Sequence, residues 1–161
     1  MFEVESYSGK KEKNYQMVIK QLRALLEGET NQLANLANAS ALLNQFLNDV
    51  NWVGFYLYEE ASDQLVLGPF QGLPACVRIQ NGKGVCGTAS KEGTTMRIEN
   101  VHEFPGHIAC DAASKSEIVV PMYASGDLLG VLDIDSPKIG RFDEIDQEYL
   151  EKFTAALQDY L

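Results

Sequence analysis

Three cysteines are the residues with the widest chemical range in this sequence: Cys76, Cys86 and Cys110. In a reducing compartment they are expected to be thiols, so a disulfide between two of them is more typical of catalysis than of structure. Cys110 has polar neighbours and lies in 100–116, a segment without hydrophobic periodicity. Aperiodic segments of that length inside a domain are usually binding or active-site loops. We therefore interpret 100–116 as an active-site loop that carries a reactive Cys110.

The other two cysteines have less distinctive surroundings. Cys76 falls in a predicted short strand, 75–79, where a thiol commonly serves as a small buried hydrophobic group. Cys86 follows a glycine-rich turn at the start of a predicted helix, 85–91. Unpaired N–H groups at a helix N-terminus stabilise a thiolate. The local sequence leaves open how many of the three cysteines take part in redox chemistry.

Three carboxylates form a second group with chemical potential. Asp133 and Asp135 are two residues apart in an apolar predicted strand, so both project from the same face. Glu117 opens the preceding strand, and a hairpin between the two strands brings it close to these aspartates. Desolvation and mutual repulsion raise carboxyl pKa values, so one acid could remain a proton donor near neutral pH while others hold an ammonium. The alternative is that the aspartates only cap turns.

Two aromatic residues and a glycine-rich turn complete the candidate site. Trp52 and Tyr56 are four residues apart in a predicted strand and share a face. They either pack in the core or wall in a small apolar group. The turn at 82–87 lacks the pattern of a phosphate loop, but its backbone N–H groups could hold a carboxylate.

His102 and His107 lie near Cys110 in the sequence, so a zinc site is an alternative interpretation of these residues. The sequence has no Cys-x-x-Cys pair, and its spacings match no common zinc module. We therefore predict neither a bound metal nor a cofactor.

Hydrophobic periodicity predicts the elements that position these residues. Two amphipathic helices precede a series of strands that contains one short helix, and a capped helix closes the chain. Hairpin connections favour an antiparallel sheet covered by helices, which is an α+β fold in a single domain, 1–161, with a polar lead-in at 1–13. The predicted helices are 14–26, 33–48, 85–91 and one from about 143 onward, and the predicted strands are 52–58, 63–67, 75–79, 95–98, 117–123 and 128–134.

Charge and hydropathy exclude several classes of partner. The net charge is −10, from 13 basic and 23 acidic residues, and the basic residues do not cluster as nucleic-acid binding requires. No window holds the roughly 18 apolar residues of a membrane span, and 1–13 has no signal-peptide core. We therefore expect a cytoplasmic protein with no nucleic-acid or membrane partner. Surplus leucines in the first two helices predict a possible homodimer: Leu22, Leu25, Leu33 and Leu36.

Five sequence blocks together resemble the free methionine-R-sulfoxide reductases, which are built on the GAF fold. The blocks are WVGFY (52–56), LGPFQG (67–72), GKGVCGTA (82–89), GHIACD (106–111) and GVLDIDS (130–136). They occur in order, the cysteine spacing matches the family pattern, and the resemblance extends from about residue 14 to the C-terminus. It implies an α+β GAF fold with about six antiparallel strands between N-terminal and C-terminal helices.

The resemblance also implies a reaction. Cys110 is expected to attack the sulfur of free L-methionine R-sulfoxide, forming a sulfenic acid. Cys76 is expected to resolve it as an intramolecular disulfide, with Cys86 as a second thiol of the relay, and thioredoxin is expected to reduce the disulfide. The residues implied to line the substrate pocket are Glu117, Asp133, Asp135, Trp52 and Tyr56, with Asp135 favoured as proton donor and Glu117 as ammonium ligand.

Alternative functions make different demands on these residues. A non-catalytic GAF module that senses a small ligand such as a cyclic nucleotide would need none of the cysteines. A thiol peroxidase would not need an amino-acid pocket, and clustered acids would repel its thiolate. An adaptor protein has no support except the predicted N-terminal helix.

Overall fold

A six-stranded antiparallel sheet forms the centre of the molecule, with strand order β3-β2-β1-β6-β5-β4. The computed structural model describes residues 2–3, 6–108 and 110–161. Within them the strands are β1 Trp52–Glu59, β2 Gln64–Gly72, β3 Arg78–Gln80, β4 Met96–Ile98, β5 Ser116–Ala124 and β6 Asp127–Ser136, and the helices are α1 Lys11–Leu26, α2 Gln32–Phe46, α3 Gly84–Glu92 and α4 Glu144–Gln158. The predicted α+β architecture is confirmed.

The two faces of the sheet have different coverings. Helices α1, α2 and α4 bury one face in the larger hydrophobic core. Helix α3 and the long loops cover the other face over a smaller core that includes Trp52 and Tyr56. Alternation along β6 places Leu132 and Ile134 on the helix-covered face and Asp133 on the α3 face. The sheet therefore separates a stabilising layer from a layer that carries polar chemistry.

The β5–β6 hairpin sets the register of the polar layer. Its two-residue turn, Ser125-Gly126, has positive φ at both positions (52° and 82°), as a type I′ turn requires. Ala124 pairs with Asp127 across this turn. A register shift between Met122 and Tyr123 then leaves one extra residue, Leu129, in β6, and the ladder beyond this bulge places Glu117 directly opposite Asp135. The predicted proximity of Glu117 to the aspartates is therefore confirmed.

The prediction that Cys76 lies in a strand is wrong. Strand β3 is only three residues long, Arg78–Gln80, because it pairs with the first residues of β2, Gln64–Val66. The rest of β2 continues past the end of β3 to Gly72, so 73–77 crosses as an irregular loop. Cys76 is half-buried in that loop.

Two other predicted boundaries also differ from the structure. Helix α1 begins at Lys11, so only part of 1–13 is a lead-in, and Met1, Val4 and Glu5 lie outside the described residues. The predicted loop 100–116 begins with a 3-10 turn at Val101–Glu103, and its last residue already belongs to β5. Ala109 of this loop lies outside the described residues.

The leucines that suggested a dimer have partners within the chain. Leu22 and Leu36 are fully buried in the larger core, and Leu25 packs against it. Leu33 alone of the four is exposed. The homodimer stays a prediction, but three of the four leucines on which it was based pack against the core of the same chain.

A buried carboxylate joins the first and last helices. Asp146 is fully buried and accepts a hydrogen bond of 2.6 Å from the Tyr15 hydroxyl. Lys11 Nζ lies 2.7 Å from Asp146 Oδ2, and Arg141 Nη1 lies 3.2 Å from the same oxygen. Lys11 is therefore an ion-pair partner of Asp146. Asp143 and Asp146 also form the capping box of α4.

Replacement of Asp146 tests this network. We expect Asp146→Asn to lower the free energy of unfolding by about 2–3 kcal/mol, because two buried or half-buried cations lose their counter-ion. Urea denaturation followed by circular dichroism measures the change. Asp159→Asn is the matched control, since it breaks an exposed ion pair with Arg23 and should leave the midpoint unchanged. Equal midpoints for the two variants would contradict a structural role for Asp146.

Candidate active site

A small cavity lies on the α3 face of the sheet, between the start of α3 and the loop that precedes β5. Its volume is about 40 Å³. Seven of the eight residues predicted as site residues line it, and the eighth, Cys76, is bonded to one of them. The seven are Trp52, Tyr56, Cys86, Cys110, Glu117, Asp133 and Asp135.

Cys76 and Cys110 form a disulfide at the cavity. Their Cα atoms are 5.7 Å apart, within the usual range for a disulfide, and 34 residues separate them in sequence. The bond joins the β2–β3 loop to the loop before β5. Both cysteines are half-buried, so the bond is accessible from solvent.

Cys86 differs from the expectation of a stabilised thiolate. It is the free cysteine of the described chain and is 5% exposed. Although it lies in the first turn of α3, burial and the nearby carboxyls of Asp133, Glu117 and Asp135 raise the pKa of its thiol well above the usual value. The prediction of a low-pKa Cys86 is therefore wrong, because desolvation outweighs the helix N-terminus.

Burial raises the pKa values of all three carboxyls in the cavity. Glu117 and Asp133 are each 6% exposed. Burial is the largest cause that raises the pKa of Glu117, and Asp133 and Asp135 raise it further; burial also raises the pKa values of both aspartates. A hydrogen bond between Glu117 and Asp133 raises the pKa of the glutamate and lowers that of the aspartate, so Glu117 is the donor. Burial therefore favours the protonated forms of these acids in the folded chain.

Trp52 and Tyr56, the aromatic residues that line the cavity, also hold the loop that carries Cys76. The Tyr56 hydroxyl donates to the Cys76 carbonyl at 2.8 Å, and the Trp52 indole donates to the Leu73 carbonyl at 3.1 Å. The rings of Trp52 and Tyr56 stack with centroids 5.8 Å apart. Gly54 makes room for this arrangement, because a Cβ there would lie 2.3 Å from Phe70 Cβ.

Several polar residues of the site were not predicted. Asn51 Nδ2 donates to Asp111 Oδ2 at 2.9 Å and to Ser114 Oγ at 3.1 Å, which ties the start of β1 to the Cys110 loop. Ser114 also hydrogen-bonds Asp135. The only sequence signal was the position of Asp111 and Ser114 inside the predicted loop, and none pointed to Asn51.

His107 completes the cavity beside Glu117. Its Nε2 lies 4.0 Å from Glu117 Oε2, and its side chain is 14% exposed. Burial, with a smaller effect of His102, lowers the pKa of His107, so the imidazole is neutral at physiological pH. It therefore contributes no positive charge to offset the three acids.

Burial of Glu117 makes stability depend on pH. In the unfolded chain a glutamate loses its proton near pH 4.3, whereas the folded chain keeps it to higher pH. The folded state thus binds more protons in that window, so stability falls as pH rises from about 4.3 through the raised pKa. We expect Glu117→Gln to be more stable than the parent at pH 8, on the order of 1 kcal/mol, with a smaller difference at pH 4.

Urea midpoints at the two pH values, with the disulfide intact, measure this effect. Glu92→Gln on the exposed end of α3 is the control and should track the parent at both pH values. A Glu117→Gln midpoint below that of the parent at pH 8 would show that the ionised or hydrogen-bonded glutamate stabilises the fold instead.

Comparison with known proteins gives a consistent family. Residues 21–158 match the model of the GAF domain. The chain is 62% identical to the Bacillus subtilis protein YtsP over 161 residues, covering 100% of this chain and 99% of that protein. It is 57% identical over 138 residues to the free methionine-R-sulfoxide reductase of Escherichia coli, covering 86% of this chain and 82% of that protein.

A solved structure gives the same assignment. The free methionine-R-sulfoxide reductase of Neisseria meningitidis, in complex with its substrate, superposes with a TM-score of 0.95 at 42% identity, covering 99% of this chain and 95% of that one. The predicted GAF fold is thus confirmed over nearly the whole chain. This chain belongs to the GAF domain family and, within it, to the free methionine-R-sulfoxide reductases, a group of oxidoreductases.

Proposed function

We propose that this chain reduces free L-methionine R-sulfoxide to L-methionine, with Cys110 as nucleophile. The observation that carries the proposal is the Cys76–Cys110 disulfide at a cavity lined by three buried or half-buried acids. A disulfide beside protonated carboxyls is the state expected after a thiol has reduced a substrate whose oxygen needed protonation. The related enzymes of Escherichia coli and Neisseria meningitidis carry this activity in their names.

Each part of the substrate has a complementary group in the cavity. We assign the substrate ammonium to Glu117 and Asp133, because an arriving cation stabilises their ionised forms. The substrate carboxylate is assigned to the first turn of α3, where no side chain of the N-cap residue Lys83 covers the backbone N–H groups. Trp52 and Tyr56 line the cavity as the wall for the methyl-sulfur end. A site that binds both termini selects the free amino acid over a peptide.

The size of the cavity indicates that it changes during the cycle. About 40 Å³ accommodates a few water molecules at most, since one water needs roughly 10–15 Å³ on this measure. We therefore propose that reduction of the disulfide frees the loop 100–116 to admit substrate, and that closure of the bond expels methionine.

The chemical step assigns separate roles to a thiolate and an acid. The Cys110 thiolate attacks the sulfoxide sulfur while a carboxylic acid protonates the sulfoxide oxygen. Asp135 is the proposed donor, because burial raises its pKa and because it interacts with Asp111, the neighbour of Cys110. The sulfur–oxygen bond of the substrate breaks as its oxygen passes to the Cys110 sulfur, so methionine leaves and Cys110 becomes a sulfenic acid.

Resolution of the sulfenic acid gives the disulfide. The Cys76 thiol attacks the Cys110 sulfenic acid and releases water, so two thiols are oxidised as one sulfoxide is reduced. Cys86 is proposed as the second thiol of the relay. Its burial and raised thiol pKa make it a slower partner than Cys76.

An external dithiol must then regenerate the two thiols. We propose thioredoxin in the cytoplasm, where thiols are kept reduced. In the described chain, no helix is long and apolar enough to cross a membrane. Three exposed apolar side chains lie within three residues of the disulfide in sequence: Leu73 (63%), Val77 (62%) and Ile108 (39%). These three side chains, called the apolar rim below, suit contact with a protein reductant that must place its own thiol against the disulfide.

The assay that tests the activity uses the separated R and S isomers of free methionine sulfoxide with a dithiol. We expect methionine from the R isomer only. Cys110→Ser should lower the rate at least about a thousandfold, because it removes the nucleophile. Amino-acid analysis quantifies the product. No methionine from either isomer would sink the proposal and favour a GAF module that senses a small ligand.

Substitution of the apolar rim tests the protein reductant. We expect Val77→Asp to slow turnover with thioredoxin about tenfold, because a charge interrupts an apolar contact, and to leave turnover with dithiothreitol unchanged. Leu33→Asp is the matched control, an equally exposed apolar residue on α2, across the sheet from the site. Equal loss with both reductants would place Val77 in folding or chemistry rather than in docking.

A further inference from the structure

We propose that Cys86, Glu117 and Asp133 form a binding site for Zn²⁺ that persists when Cys76 and Cys110 are joined. One ligand atom from each of the three residues lies within 4.8 Å of the others, and all three residues are buried. No zinc-module spacing marks these residues in the sequence, because they come from α3, β5 and β6 and meet only across the folded sheet. The site goes beyond the proposed reductase activity and does not depend on it.

The distances fit a tetrahedral zinc ion. Cys86 Sγ lies 3.8 Å from Glu117 Oε1. With typical Zn–S and Zn–O bonds of about 2.3 and 2.0 Å, a tetrahedral angle separates sulfur from oxygen by about 3.5 Å. The Cys86–Glu117 pair is therefore about 0.3 Å wider than a shared zinc ion requires, and all three ligand atoms lie within 4.8 Å of one another. Thiolate with carboxylate is also a donor set that zinc accepts and that magnesium or calcium does not favour.

An unpartnered oxygen points to a missing ligand. Asp133 Oδ1 is buried and has no hydrogen-bond partner among the described residues, and the whole residue is only 6% exposed. Leaving a buried carboxylate oxygen unpaired is costly, at roughly 1–3 kcal/mol. Asp133 lines the cavity, so its carboxyl group faces space that an ion can enter. Coordination of a cation would pair this oxygen.

The cavity and His107 complete the site. At about 40 Å³ the cavity accommodates an ion with a water molecule, although not an amino acid. His107 lines the same cavity, with its Nε2 4.0 Å from Glu117 Oε2, and is a candidate for a fourth ligand. Three anionic donors and one zinc ion leave a net charge of −1, so the ion offsets most of the negative charge that forms when the ligands lose their protons.

Zinc binding has a chemical consequence that can be measured. The Cys86 thiol and the Glu117 carboxyl release their protons when they become ligands, so affinity should rise with pH. The ion also occupies the acids assigned above to the substrate ammonium. Zinc should therefore compete with substrate if the proposed activity holds, whereas binding itself can be measured without substrate.

The test uses the full chain with its disulfide intact, so that Cys86 is the free thiol, and titrates Co²⁺ as a coloured zinc surrogate under anaerobic conditions. We expect a thiolate-to-cobalt charge-transfer band and intense tetrahedral absorption, both removed by added Zn²⁺. Cys86→Ser should abolish the charge-transfer band. Asp133→Asn should weaken Zn²⁺ binding, measured against a fluorescent chelator, by about tenfold or more.

Asp127→Asn is the matched control, because it removes an exposed acid at the other end of β6 and should bind Zn²⁺ like the parent. Circular dichroism and thermal melts check that each variant is folded. Weak octahedral cobalt spectra without a thiolate band would overturn the proposal. So would an unchanged zinc affinity in folded Cys86→Ser or Asp133→Asn.

Discussion

The register of the β5–β6 hairpin is the constraint on which the site depends. The two-residue turn at Ser125-Gly126 and the one-residue bulge at Leu129 together fix the pairing, and each residue beyond the bulge is then committed to one face. Because side chains alternate, a slip of one residue would turn Glu117 into the hydrophobic core and bring Ile118 to the cavity. The large core beneath α1, α2 and α4 holds the register, since Ile118, Val120, Leu132 and Ile134 are buried there. Hydrophobic packing on one face of the sheet thus positions the carboxyl groups on the other face.

The burial of several acids in one cavity destabilises the folded state, and packing elsewhere in the molecule must offset this cost in free energy. Desolvation raises the pKa values of Glu117, Asp133 and Asp135, which shows that their ionised forms are disfavoured in the folded chain. At the helix layer, Asp146 has the opposite environment, with Lys11, Arg141 and Tyr15 as partners. The two groups of buried acids therefore have different roles. Asp146 is fully paired and joins helices, whereas the acids of the cavity lack cationic partners and are available for a ligand.

The sequence predicted those features that depend on period and local turn chemistry. Alternation placed Asp133 and Asp135 on one face, the predicted hairpin between 117–123 and 128–134 brought Glu117 close to them, and an aperiodic loop marked Cys110. Features that depend on tertiary contacts were missed. Cys76 is not in a strand because β3 pairs with only the first three residues of the longer strand β2. Cys86 is not a stabilised thiolate because it is buried and because acids from two strands surround it. Asn51 carried no local signal, since its partners Asp111 and Ser114 are about 60 residues away in sequence.

The charge of the cavity also bears on the order of events in the proposed reaction. A Cys110 thiolate beside Glu117, Asp133 and Asp135 is disfavoured by like charge, and neutral His107 provides no compensation. A substrate ammonium placed between Glu117 and Asp133 brings the missing positive charge into the cavity. It favours the ionised forms of both its carboxyl ligands and of the thiol, while Asp135, closer to the Cys110 loop, can retain its proton. Substrate binding would therefore activate the nucleophile, and a sulfoxide without the ammonium would lose rate as well as affinity.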